Sequence, residues 1–407
     1  MAKSNEVIVD ASTIRNILTL RYDPTQNTSL PTLTSNDYNP IETVSTEFIE
    51  KAMREYVQDK IDKLNIKKIT VALSGGIDST LVLALLRRKF PDIDVETISI
   101  KFIQSFDESE KAAKTSEFFD VKHHTILLEN YLEELPQAIY VVGLPFWDLH
   151  WYYVVKNTRN ITKHLASGDG GDELFGGYTF RYLKFLSMIS ESSTPLDKVK
   201  AYLTCHERDN VPDQQNVFGS KVEFSWDKIY KFLLPYFDNK LDPLNQVFLA
   251  DYNGKLLYNF SIVNTKIHNY FEVNNITPIL SQKLIQYSTR LASDQKYDKN
   301  NNLGKVPLRQ IIKELGADQL ISKEKYGFSV NTINLWKSFG KNACEYYLSD
   351  SRAVKAGLLN NDWIKKYLVQ NDLDARYVNK FLGLLAFEIW YRLFITKEMS
   401  YTERLTI

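Results

Sequence analysis

Between residues 65 and 180, short β-branched runs alternate with helical stretches, and this alternation restricts the fold more than any other feature of the chain. "KKITVAL", "VETISIKF" at 95–102 and "HTILL" at 124–128 read as strands, and "NITKHLAS" contains another that ends at Ser167. The connecting segments have helical character: "STLVLALLRRKF", a stretch over 108–119, one over about 130–142, and a further one before "NITKHLAS". Strands separated by helical crossovers pair in parallel. The expectation is an α/β protein with a doubly wound parallel sheet of about five strands and helices on both faces. Upstream, "TEFIEKAMREYVQDKIDKL" carries apolar residues at helical spacing. After Tyr178 the strand signal fades, and the chain reads as mostly helical down to the apolar "VNKFLGLLAFEIWYRLFI". Residues 1–45, rich in Pro, Asn, Ser and Thr from 24 onward, are expected to form an arm or linker, and 46–407 a single domain.

Two of these strands end in glycine-rich loops that carry aspartate. The first is "LSGGIDS", from Leu73 to Ser79. Gly75 and Gly76 let backbone approach a ligand closely, and the helix that follows turns its amide end towards the loop. Ser74 and Ser79 add hydroxyl donors. Such a loop is either a tight strand-to-helix turn capped by Asp78 or a phosphate cradle. In a cradle, Asp78 would repel phosphate unless a cation such as Mg²⁺ lay between them. The second loop is "LASGDGGDELFGGY". Its apolar and aromatic end should be buried, which argues against a loose surface loop. Aspartates at the carboxyl ends of two parallel strands stand where open α/β sheets bind ligands. Asp78 and Asp172 are the candidate Mg²⁺ ligands. Ser167 and Gly168 are candidate nucleotide contacts, and Asp169 is a candidate proton acceptor.

These motifs carry a family resemblance. "SGGIDS" resembles the loop of the ATP pyrophosphatases, and "SGDGGDELFGGY" is similar to the signature of asparagine synthetases. "GKVPLRQIIKELGADQLISKEKYGF" resembles a later segment of that family; it aligns Lys305 and Arg309 with a helix start and Lys325 with the family's catalytic lysine. The resemblance implies that residues 46–407 form an ATP-binding synthetase domain with ATP and Mg²⁺ as cofactors. ATP and pyrophosphate would contact Leu73, Ser74, Gly75, Gly76, Asp78, Ser79, Ile100, Ser167 and Gly168. Lys325, Asp169 and Lys305 would serve catalysis, with Lys325 stabilising the leaving pyrophosphate. The implied reaction adenylates a carboxylic acid, L-aspartate by family precedent, and transfers ammonia to it, releasing AMP and pyrophosphate. Asp107 and Glu108 match an acidic pair of the family, and His123 and His124 match its paired histidines, which read here as structural.

Some features depart from the family pattern. Glutamine-dependent members begin with a nucleophilic cysteine, whereas the second residue here is Ala2 and the first cysteine is Cys205. The nitrogen is therefore expected from free ammonia, a separate glutaminase subunit or an amine on the substrate. An acidic pair of the family gives way to Gly143 and Leu144 in "VGLPFWD". An arginine is replaced by Asn274 and an aspartate by Ser281 in "EVNNITPILS". Arginine is the preferred bidentate partner of a carboxylate. Its loss therefore leaves open a different acid, ring closure onto an internal amine as in β-lactam synthetases and macrolactam cyclases, or a non-catalytic subunit.

Composition excludes other classes. Lys plus Arg and Asp plus Glu each total 50, which argues against a dedicated nucleic-acid partner. No run is long and apolar enough for a membrane span. Two distant cysteines, Cys205 and Cys344, without metal-ligand spacing, fit a cytoplasmic protein and no disulfide framework. Nothing in the sequence decides the oligomeric state, and a homo-oligomer is one option.

Overall fold

The computed structural model describes residues 10–103, 109–321 and 331–406. Five parallel strands form the central sheet: β1 (Lys68–Ala72), β2 (Asp94–Phe102), β3 (Lys122–Leu128), β4 (His164–Ala166) and β5 (Asn274–Ile276). Their order is β3-β2-β1-β4-β5. Every neighbouring pair is parallel, with Val71 opposite Thr97 on one side and Ala166 on the other. The chain winds outward from β1 to β3 and then returns to the opposite side at β4. The crevice between β1 and β4 is thus the topological switch point.

Strand periodicity separates two hydrophobic cores. Ile69, Val71 and Val95 face one cluster, together with α2 (Thr46–Leu64) and α3 (Ile77–Lys89). Leu81 to Leu86 of α3 are fully buried, as expected for a helix pressed between the sheet and its neighbours. Ala112 of α4 (Ser109–Phe118) joins the same cluster. Ile98, Ile100 and Leu165 face the second cluster, which holds α5 (Leu135–Val142) and α6 (His150–Thr158). The doubly wound sheet with helices on both faces is as expected from the sequence.

One predicted helix is shorter than expected. The stretch over about 130–142 becomes helical only at Leu135, because the Asn130 side chain accepts from the Leu132 N–H in a preceding turn and Pro136 sits in the first helical turn. His123 and His124 lie in β3. The His123 ring meets the Thr97 and Ser99 hydroxyls at 2.8 and 3.0 Å, and burial lowers its pKa to about 4. His124 contacts Glu96 at 2.6 Å. Both brace the sheet.

The C-terminal half is mostly helical, as expected. Its site-forming members are α8 (Ser261–Phe271), α9 (Val306–Glu314) and α10 (Ala375–Phe394), and α7 (Gly171–Phe175) is a single turn after β4. In the N-terminal arm, α1 (Ala11–Leu20) packs on α10, and Leu33 and Tyr38 reach the first core. Among the described residues, no helix is long and apolar enough to cross a membrane.

Candidate active site

The first loop grows directly from the sheet. Leu73 still donates its N–H to Ile98 O at 2.9 Å, after which the chain turns at Gly75, whose φ of 69° lies in the left-handed region. A Cβ on Gly75 would stand 2.8 Å from Cγ of Lys111, so the glycine also makes room for that side chain. The Gly76 N–H donates to Ser74 Oγ at 3.2 Å, and the Ser74 and Ser79 hydroxyls lie 3.2 Å apart. Gly76 is the N-cap of α3 and has no side chain with which to cap it, so the positive end of the helix dipole faces the loop. Asp78 occupies the first turn.

The second loop lies against the first at van der Waals limits. A Cβ on Gly168 would fall 2.4 Å from the carbonyl carbon of Asp78, and one on Gly171 2.2 Å from Asp78 Oδ1. A Cβ on Gly177 would fall 1.8 Å from Asp172 Oδ1. The glycines of "SGDGGDELFGGY" are thus spaced to seat two aspartates. Between those aspartates sits Lys305, the N-cap of α9, held by its own N–H to Phe175 O at 3.0 Å. Its Nζ lies 2.5 Å from Asp78 Oδ2 and 2.9 Å from Asp172 Oδ1. Burial opposes the lysine's charge, but the Asp172 and Asp78 carboxylates outweigh it and hold the ammonium above the usual lysine range.

Two further acids are buried beside this triplet. Burial pushes Asp169 up to about 7; the Ser167 hydroxyl donates to it and opposes the rise, and the nearby Asp78 charge adds to it. Burial, together with Asp172, pushes Glu173 up to about 7, while the Tyr178 hydroxyl donates to it at 2.6 Å. Leu73 and Ile100 lie in the two hydrophobic clusters, and their side chains belong to the core next to the site. Lys325, Asp107 and Glu108 lie outside the described residues.

The donor set fits Mg²⁺ in one particular way. Asp78 and Asp172 already share a cation, the Lys305 ammonium. Among the described residues, no cluster of three or more His, Cys, Asp or Glu side chains could cage a metal. One or two carboxylates completed by phosphate oxygens is the usual Mg²⁺ arrangement. The residues therefore suit an ion brought in with a nucleotide.

Ser74, Asp78, Ser167, Asp169, Asp172 and Lys305 open into a cavity of about 1000 Å³, which also takes in Arg309; Leu73, Ile100 and Glu173 do not line it. Three parts of its lining were missed by sequence reasoning. Lys111 of α4 packs on Gly75 of the first loop, and Lys114, paired with Glu110 at 2.8 Å, also lines the cavity; their one signal was helical spacing after a strand. Ile17, Leu18 and Arg21, from the arm, form another part of the wall. Phe146, Trp147 and Trp151 form a third, from "PFWDLHW". Asn274, by contrast, is exposed at the start of β5, donating its N–H to Lys163 O at 2.7 Å. It edges the sheet at the end away from the loops, so the exchange of arginine at this position concerns the sheet edge and not the cavity.

The family model for asparagine synthase matches residues 49–392. Asparagine synthetase [glutamine-hydrolyzing] 1 of Bacillus subtilis is 22% identical over 89% of this chain and 62% of its own length. A putative asparagine synthetase [glutamine-hydrolyzing] of Mycobacterium tuberculosis is 21% identical over 83% of this chain and 57% of its own. This chain thus spans about three fifths of the length of such relatives. Among solved structures, an ammonia-dependent NAD synthetase from Campylobacter jejuni is 14% identical, covering 49% of this chain and 100% of its own, at a TM-score of 0.25. With the family model covering most of its length and both signature loops seated at one sheet edge, the chain belongs to the asparagine synthase family.

Proposed function

We propose that the protein is an ATP-dependent, AMP-forming ligase that activates a carboxylic acid as its acyl-adenylate and converts it to an amide. One observation carries this reading: at the switch point of the sheet the loops ending β1 and β4 converge, with Asp78 and Asp172 flanking the Lys305 ammonium beside the uncapped amide end of α3.

In this reading the Ser74–Gly76 backbone and the amide end of α3 cradle the phosphates. Ser167 and Gly168 border the nucleotide from β4. A carboxylate oxygen of the acid attacks the α-phosphorus, and the bond from that phosphorus to the bridging oxygen breaks as pyrophosphate leaves. Lys305 is held charged inside the site and stabilises the negative charge that develops there, and Lys111 adds a cation from α4; Lys325 has the same role only by its match to the family's catalytic lysine. Mg²⁺ held by Asp78 and Asp172 would neutralise the phosphate oxygens. Ammonia then attacks the acyl carbon, AMP departs, and Asp169, poised near neutrality, accepts the proton released by the nitrogen.

The test is pyrophosphate release by the purified chain with Mg·ATP and ammonium, with and without a carboxylic acid. Acid-dependent release with equal amounts of AMP and amide is expected. ATP hydrolysis to ADP and phosphate would sink the reading.

A further inference from the structure

Part of the cavity wall is aromatic. Phe146 and Trp147 follow α5, Trp151 lies on α6, and Phe260 and Val263 lie at the start of α8. Phe146 and Trp147 are buried within the fold, at 9% and 7% exposure, yet line this space. Several polar groups on this wall are engaged in building it. The Arg21 guanidinium lies 4.9 Å from the Trp147 ring centroid and pairs with Asp148 at 3.8 Å. The Lys380 ammonium donates to Leu18 O, and Asn259 Nδ2 donates to Arg21 O at 2.5 Å. Two asparagines differ: Asn379 on α10 lines the cavity with its Oδ1 buried and without a hydrogen-bond partner. Asn264 on α8 is 2% exposed and lines the cavity; its Oδ1 accepts from Asn275, and its amide nitrogen is buried without a hydrogen-bond partner.

A small zwitterionic acid such as aspartate carries an ammonium and a second carboxylate beside the reacting one. In a pocket that excludes water, each of those charges needs an opposite charge or several hydrogen bonds. This wall offers aromatic faces, which reward apolar or planar bodies with buried area and stacking. We propose that the acid activated here carries a bulky apolar or aromatic body that packs on Phe146, Trp147 and Trp151. An acceptor atom on that body would meet the amide nitrogen of Asn264. The proposal rests on the carboxylate-adenylating reading of the site and names its substrate class.

The test is acid-dependent ATP–pyrophosphate exchange by the full chain. The probes are phenylpropionate, phenylbutyrate, indoleacetate and octanoate, beside L-aspartate. At least one apolar acid is expected to exceed aspartate in kcat/KM by about 10-fold or more, the scale of a well-filled apolar pocket. Trp147→Ala is expected to raise KM for that acid by a similar factor and to leave KM for ATP unchanged. Trp151→Leu, a milder change, should raise KM for the acid in the same direction and guards against misfolding of the first variant. Aspartate as the best acid would overturn the proposal and leave the ligase reading standing. A rise in KM for ATP in place of the acid would give the wall to the nucleotide and also overturn it. No exchange with any acid, by chain that binds ATP in calorimetry, would overturn the ligase reading and the proposal together.

Discussion

Asp78 and Asp172 share one ammonium, and that arrangement makes Lys305 as much a structural counter-charge as a participant. Lys305→Met would remove the ammonium that both carboxylates share. It is expected to lower kcat/KM for ATP by about 10²-fold or more, the cost of one preorganised transition-state charge partner. Steady-state pyrophosphate release checks this. Asp169 gives a second prediction at the same scale. Its carboxyl titrates near 7 in the fold, well above the value of an unfolded chain, so the folded state holds the proton more tightly. The stability it contributes is complete below about pH 4 and is lost as pH rises through about 7. Asp169→Asn, which carries no charge, should therefore melt above the parent at about pH 8, with the gap closing towards about pH 4. A gap independent of pH would contradict the assignment. The aspartates were legible in the sequence because carboxylates within glycine-rich strand ends have few structural explanations. The bridging position of Lys305 was not, because nothing in "GKVPLR" reveals which strand ends its ammonium reaches.

At the scale of elements, the site depends on how closely two loops approach. Gly168→Ala would force the β4 loop away from the Asp78 backbone. The expected cost is about 1–3 kcal/mol of stability, typical of overpacking, with ATP binding lost because the cradle is no longer closed. Denaturant melts and calorimetry measure the two effects separately. The strands and helices around these loops could be read because β-branched runs and helical spacing agree with their burial. Two elements could not be read with the same accuracy. The start of α5 was masked by apolar residues ahead of Pro136. β5 is three residues long, and "NNI" carries no alternation; it becomes a strand because β4 offers it an edge.

At the scale of the whole molecule, one buried acid ties α10 to the segment at residues 351–353. Glu388 on α10 is 0% exposed and accepts from the Ser351 hydroxyl at 2.6 Å, from the N–H groups of Arg352 and Ala353 at 2.8 and 3.1 Å, and from Arg392 Nε at 2.7 Å. Glu388→Ala strands those donors and a partly buried arginine, and is expected to cost about 3 kcal/mol or more. A variant with parental stability would contradict this. The same scale explains why the arm was hard to read. Its composition suggests a linker, yet Leu18 and Arg21 become cavity wall once α1 docks on α10. Such a contact, between residues more than three hundred positions apart, leaves no local trace.

The central claim is that a carboxylate oxygen attacks the α-phosphorus of ATP. Turnover of an acid labelled with oxygen-18 in its carboxylate, followed by mass spectrometry of the products, tests it most directly. One labelled oxygen in AMP for each amide formed is the predicted result. Label in inorganic phosphate, with ADP as the nucleotide product, would contradict the account.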